Sequence, residues 1–446
     1  MEGLIMAAQL ILGLSILVGL HELGHLLTAK LFGMRVEQYY IGFPPKIFGF
    51  RYGETEYNLG AIPLGGFVKI SGMVDESLDT KTLSEEPEPW EFRSKPAWQR
   101  LIVMMGGIIV NVITGIIIFI FLTYQFGDTY IPRQEVLNNG IVAYDLGEEI
   151  GLKTGDKVLK VNGEEYVSFS DLTSADVLLA DNAYYTVERD GATIDVPIPT
   201  GFLDKFSDKE AAAQFMSVRL LPEISRLEEG GNAEKGGLAI GDKIVAVDGQ
   251  KITFFDEMQE ILAEKKGETI AIQVLRVDNL NVENEISQPL TIQVQVDEEG
   301  KIGLANKLWE LDRVEYTFAE AIPKGTKEAF NVVWINIRAL GKIFQGEVSA
   351  SKSLSGPIGI AQIFGGEWDW VRFWRITGLL SMVLAFMNFL PIPALDGGHV
   401  AFLSYEIISG RKPSDKFLEG AQKVGMVLLL TLMTFAIFND IFKVFF

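Results

Sequence analysis

The 446-residue chain has no cysteine and only three histidines. Without cysteine, no disulfide ties a domain together, and a metal site has to be built from nitrogen and oxygen ligands. Basic residues are scarce too: 39 Lys and Arg stand against 59 Asp and Glu, a formal net charge of −20. That balance excludes nucleic acid as a partner, because phosphate binding needs basic surface. What the chain has instead is apolar length. Mean hydropathy is positive although 22 % of the residues are charged, a mixture that points to membrane spans joined to a polar soluble portion.

Two of the three histidines fall in His21-Glu22-Leu23-Gly24-His25, inside an apolar run from about Leu4 to Leu31. Ionisable groups in a segment that can span a bilayer mark function by default. On a helix His21 and His25 project from one face, a turn apart, and can share one tetrahedral ion. Glu22 is rotated by roughly 100° from His21, so it reaches a water at the ion without being forced to ligate. This is the H-E-x-x-H arrangement of zinc peptidases; the plainer alternative is a pair of structural histidines at a helix end. The third histidine closes a second unusual stretch, Asn388-Phe389-Leu390-Pro391-Ile392-Pro393-Ala394-Leu395-Asp396-Gly397-Gly398-His399. Asp396 is the only acid in the apolar run from about Ile376 to Leu403. A catalytic zinc takes three protein ligands and keeps one position open, which makes Asp396 the natural third ligand. His399 reads as a neighbour of the site rather than a ligand.

The first span is long enough to cross about 30 Å of hydrocarbon with some tilt, and its length and lack of a basic start set it apart from a cleaved signal peptide. Lys30, Arg35, Lys46, Arg51, Arg93, Lys95 and Arg100 crowd the loop before a second span at about Leu101–Thr123, so the loop is expected to be cytoplasmic. Asp75 to Glu91 reads as a solvated acidic loop. In the second span Gly106-Gly107 suits close helix contact. Asn111 either steadies a ligand or joins two helices, and joining helices is the expected role. From Asp128 to Asn306 the long apolar runs stop and a repeat appears: Gly151-Leu152-Lys153-Thr154-Gly155-Asp156 recurs as Gly237-Leu238-Ala239-Ile240-Gly241-Asp242, an offset of 86 residues. That is one small domain, so two tandem copies are expected, each with a tight Asn-Gly or Asp-Gly hairpin. A helical stripe between Glu315 and Glu347 is too polar to span and fits an interfacial helix. Pro391 and Pro393 disfavour a regular helix just before Asp396. A fourth span begins near Val424.

Taken together, these stretches resemble the bacterial site-2 protease family of the RseP type, nearly end to end. The resemblance implies a polytopic α-helical membrane protein with four transmembrane helices, a membrane-associated β-loop at Ala61–Lys69 and two tandem PDZ-like α+β domains in place of the repeat. It implies one Zn2+ held by His21, His25 and Asp396, Glu22 as general base, and Asn388 holding the substrate backbone. Where the family commonly has Gly-Pro, this chain has Gly106-Gly107. The β-loop has a physical rationale, since a protease acting in a bilayer must offer partners to the peptide groups of an unwound helix. An edge strand through Gly66, Phe67, Val68 and Lys69 does this by strand addition, while an ordinary hairpin capping the cytoplasmic face is the alternative. The expected segments are 1–127 (motif helix, β-loop, second span), 128–215 and 216–308 (the two PDZ-like domains), 309–369 (interfacial helix and linker) and 370–446 (third ligand and fourth span).

The expected activity is hydrolysis of a peptide bond within or near the span of a pre-trimmed single-span protein in the bilayer, of the anti-sigma-factor or signal-peptide-remnant type. The expected location is the bacterial inner membrane, with the PDZ-like domains in the periplasm and the active site toward the cytoplasm. Those domains either take a peptide or C-terminus or exclude bulky substrates. The rival reading is a membrane scaffold with a structural zinc, and Glu22 discriminates, because only hydrolysis needs it.

Overall fold

The computed structural model describes residues 1–73, 86–207, 214–276, 289–349, 351 and 355–445. Most of the acidic stretch expected as a loop, 75–85, lies outside the described residues. Contacts divide the chain into two compact units, Met1–Asp128 with Val314–Phe446, and Thr129–Arg313.

The first unit is helical apart from one hairpin. Its helices are α1 (Glu2–Leu31), α2 (Ala97–Phe126), α3 (Phe318–Phe344), α4 (Pro357–Phe364), α5 (Trp370–Phe389), α6 (Asp396–Ser409) and α7 (Asp415–Phe445). Among the described residues, α1, α2, α5 and the Lys416–Lys443 part of α7 are long and apolar enough to cross a membrane. Helix α2 is the hub and packs against α1, α3, α5 and α6. Its approach to α1 is a backbone contact: a Cβ on Gly24 would run into the Gly106 carbonyl, so glycine on both sides lets the helices meet. Helix α3 turns the small residues Ala321, Gly325 and Ala329 inward and leaves Phe330, Trp334 and Ile337 exposed. Gly325 seats on the α2 backbone at Ile120.

The proline pair acts as its chemistry requires. Helix α5 stops at Phe389, Leu390 is extended, Ala394 takes a positive φ of 75°, and α6 starts at Asp396. Side chains at Gly397 and Gly398 would strike the carbonyls of Leu390 and Ile392, so the restart depends on two bare residues.

Strands β1 (Val36–Tyr52) and β2 (Thr55–Ile70) form the hairpin between α1 and α2. The β-loop expected at Ala61–Lys69 is thus only part of the hairpin: β1 carries Gly42, Pro44 and Pro45, residues that oppose a strand. They fall at a bend where the register shifts between Phe43 and Lys46. The hairpin folds back on itself: Tyr39 is opposite Tyr57 on one side and Val68 on the other. This leaves the end of β2 as an outer strand, paired as Ile41 with Gly66 and Val36 with Ile70.

The second unit holds two separate cores. One runs from Val136 to Val218 around the sheet Lys157–Val161, Tyr184–Arg189, Ala192–Pro197. Met216–Val218 pairs with Ile141–Ala143 and packs in this first core, a few residues past the expected boundary at 215. The other core runs from Ile224 to Ile302 around a four-stranded sheet with the helix Phe255–Glu264. The repeat turns match: Asn162-Gly163 and Asp248-Gly249 all have positive φ, which the two-residue hairpin turn demands.

Candidate metal centre

Helix α1 sets His21 and His25 one turn apart with their Nε2 atoms 3.2 Å from each other. Asp396, at the first turn of α6, points its Oδ2 to within 3.1 Å of His21 Nε2 and 3.3 Å of His25 Nε2. Three ligand atoms around one tetrahedral zinc, at bonds of about 2.0–2.1 Å, would stand about 3.3 Å apart. Both histidines are buried.

The protonation pattern also fits a cation. His25 Nδ1 lies 2.8 Å from the Val103 carbonyl of α2. A carbonyl only accepts, so the ring proton sits on Nδ1 and the neutral ring presents a bare lone pair at Nε2. In that neutral form Nε2 turns toward Asp396 Oδ2, 3.3 Å away, the arrangement in which both atoms can give a lone pair to one cation. Gly107 of α2 closes the back of the site, where an added Cβ would lie 2.5 Å from His25 Nε2 and 2.6 Å from His21 Cε1.

A cavity of about 700 Å³ opens onto this cluster, and Glu22, Asn388, His399, Gln422 and Gly65–Ile70 line it. The Val68 backbone N–H, on the outer strand of β2, lies beside the Glu22 carboxylate. Gly66 packs so tightly on α1 that a Cβ would lie 2.8 Å from Val18 Cγ1 and 3.3 Å from Glu22 Cγ. Phe67 stacks on Tyr40 at 4.7 Å, and Lys69 pairs with Glu37 at 3.5 Å. Asn388, on the last turn of α5, has its Nδ2 3.4 Å from His21 Nε2.

The structure therefore brings His21, Glu22, His25, Asn388 and Asp396 to one point, with Gly66–Lys69 on the wall. His399 lies one turn beyond Asp396 with its Nε2 3.2 Å from Gln422 Nε2, outside the three-residue cluster. Asn111 does join helices, and it does so at the site: its Nδ2 lies 3.2 Å from His21 Nδ1. An amide in an apolar helix was the available signal, but the sequence does not say which neighbour that face of α2 meets. Gln422 and Val103 carried no signal at all.

Acceptors converging beside a free carboxylate, on helices of spanning length, define a class: metallopeptidases whose site is carried by membrane-type helices. The model of peptidase family M50 matches residues 9–432, and the chain belongs to that family, the site-2 proteases. It is accordingly a metalloendopeptidase. The chain is 29 % identical to a Neisseria meningitidis protein named as a candidate zinc metalloprotease, covering 97 % of each. It is 28 % identical to the regulator of sigma E protease of Haemophilus influenzae, over 97 % of this chain and 98 % of that one. It is also 28 % identical to the regulator of sigma-E protease RseP of Escherichia coli K12, over 97 % of each.

Proposed function

We propose that the chain is a zinc-dependent intramembrane endopeptidase that cuts within or near the transmembrane segment of a single-span protein already trimmed on its outer side. Its substrates are of the anti-sigma-factor or signal-peptide-remnant type. The observation that carries this reading is the convergence of three ligand atoms, a free carboxylate and an outer strand on one cavity.

His21 and His25, through Nε2, and Asp396, through Oδ2, would hold one zinc ion. When bound, zinc supplies Lewis acidity that activates water and polarises a carbonyl. Glu22, beside the Val68 N–H, takes the proton of the attacking water and returns it to the leaving amine. Asn388 donates from Nδ2 to the substrate carbonyl and holds it beside the cluster. The outer strand Gly66–Lys69 replaces the hydrogen bonds that the substrate helix gives up on unwinding.

The positive-inside pattern supports placing the hairpin in the cytoplasm, with the Thr129–Arg313 unit in the periplasm of a bacterial inner membrane. That unit is read as two PDZ-like domains. Either peptide capture or exclusion of bulky substrates would suit them.

The test is cleavage of a single-span reporter by detergent-purified protein, comparing wild type with Glu22→Gln at equal zinc content. Cleavage by the wild type alone supports the mechanism. Equal cleavage by both removes Glu22 from it, and no cleavage of any trimmed reporter by zinc-loaded wild type favours a scaffold.

A further inference from the structure

Helix α2 reaches both histidines of the centre from behind. Val103 meets His25 Nδ1 through its carbonyl, and Asn111, eight residues further on and just over two turns away, meets His21 Nδ1 through its side-chain amide. Asn111 is 1 % exposed, and its Oδ1 has no hydrogen-bond partner. Its own backbone carbonyl accepts the Ser381 hydroxyl of α5 at 2.8 Å, so the residue is fixed between the helices that carry His21 and Asn388.

These contacts matter because an imidazole can ligate through Nε2 only if its proton sits on Nδ1. For His25 the Val103 carbonyl enforces that tautomer. For His21 the choice falls to Asn111. With Nδ2 donating to Nδ1, the ring proton is driven to Nε2, where it points at Asp396 Oδ2, 3.1 Å away. With the amide turned over, Oδ1 accepts an Nδ1–H and Nε2 is left bare. The two ends of an amide have nearly the same size, so the turn needs no movement of the helices.

We propose that Asn111 is a positioning residue that selects the metal-ligating tautomer of His21 by presenting its carbonyl oxygen to Nδ1. The inference rests on the reading of His21, His25 and Asp396 as zinc ligands. Groups that accept from the far nitrogen of a ligating histidine typically tune metal affinity by 10–100-fold.

The experiment is zinc affinity of the detergent-purified full chain by competition with a chromophoric chelator, alongside the cobalt(II) absorption spectrum of each variant. Asn111→Leu keeps the volume without an acceptor and is expected to weaken zinc about 10–100-fold. Asn111→Asp keeps an acceptor and is expected to bind within a few-fold of wild type, with a wild-type cobalt spectrum. Thermal unfolding of the metal-free proteins registers any packing defect separately. Wild-type zinc affinity in Asn111→Leu overturns the inference, and so does an Asp variant that folds as stably as the Leu variant yet binds no better. Asp396→Ala and His21→Ala run in parallel. If they keep full affinity, the ligand reading fails and this inference with it; if they lose zinc while Asn111→Leu does not, this inference alone fails.

Discussion

The molecule buries carboxylates in two ways, and the difference separates a site from a brace. In the Thr129–Arg313 unit Asp156 and Asp242 occupy the same repeat position, and both oxygens of each take donors. Asp156 takes Arg189 Nε at 2.7 Å, a second guanidinium nitrogen at 2.6 Å and the Lys153 N–H at 2.8 Å. Asp242 takes Arg276 at 2.7 Å twice and the Ala239 N–H at 2.8 Å. Each arginine also donates to the carbonyl of the repeat glycine, Gly151 or Gly237. Asp396 in the helical unit sets its Oδ2 against the Nε2 atoms of His21 and His25, groups that can share an ion with it. A carboxylate whose two oxygens both take donors from its own unit holds the chain to itself. One set against two imidazoles is placed to share an ion with them.

Exchanging the acids tests that contrast, and the largest effect belongs to Asp396. Asp396→Ala is expected to lose zinc and to lower reporter cleavage by about 10³-fold or more, since the ion supplies several kcal/mol. Hydrogen exchange in the Thr129–Arg313 unit should stay as in wild type. Asp242→Asn should do the reverse. Removing one partner of a buried bidentate pair costs about 3 kcal/mol, so protection in strands Lys243–Val247 and Thr269–Leu275 should fall about 100-fold while zinc content is unchanged. If Asp242→Asn releases zinc, or Asp396→Ala unfolds the Thr129–Arg313 unit, the two kinds of burial are not separate. Next in size is Gly107→Ala. Its methyl would press on both rings, and a displacement approaching 1 Å is worth roughly 100-fold in cleavage with little change in unfolding temperature.

The same contrast explains what could be read without coordinates. His21, His25 and Asp396 stood out because ionisable groups are expensive in apolar runs, so their rarity marked them. The spans were legible from length and composition, and the tandem modules from an 86-residue repeat whose turn residues admit few alternatives. Strand β1 was not legible, because Gly42, Pro44 and Pro45 oppose local strand propensity and only pairing on both sides of Tyr39 overrides it. Asn111 was visible as a helix joint but not as a neighbour of His21, since helical periodicity places a side chain on a face without naming the helix across from it.

Within the Thr129–Arg313 unit the two copies differ where they handle charge at one helix start. Asp171 and Glu257 stand 86 residues apart, and each accepts two backbone N–H bonds, from Val167 and Ser168 or from Thr253 and Phe254. Arg133 and Arg219 also stand 86 apart. Arg133 turns to Glu165 and the Leu159 carbonyl, whereas Arg219 lies 3.8 Å over the Phe254 ring and bonds Asp256 and Glu257. Position 256 is the cause, for the first copy has Ser170 there and no acid to attract the guanidinium. Burial pushes the Glu257 carboxyl up, but the Thr253 and Phe254 N–H groups and Arg219 outweigh it and hold it below its ordinary value of 4.5. A carboxyl lowered in the folded state adds stability above pH 4.5, and that stability is lost as the pH falls through the lowered value. The side chain is 36 % exposed, so solvent keeps the contribution below about 1 kcal/mol. Hydrogen exchange over Phe255–Glu264, taken from pH 6 to pH 3, should show wild type losing a margin over Glu257→Gln that vanishes at the acid end. A margin that persists at pH 3 would mean that packing of the longer side chain, not its charge, is what the second copy gained.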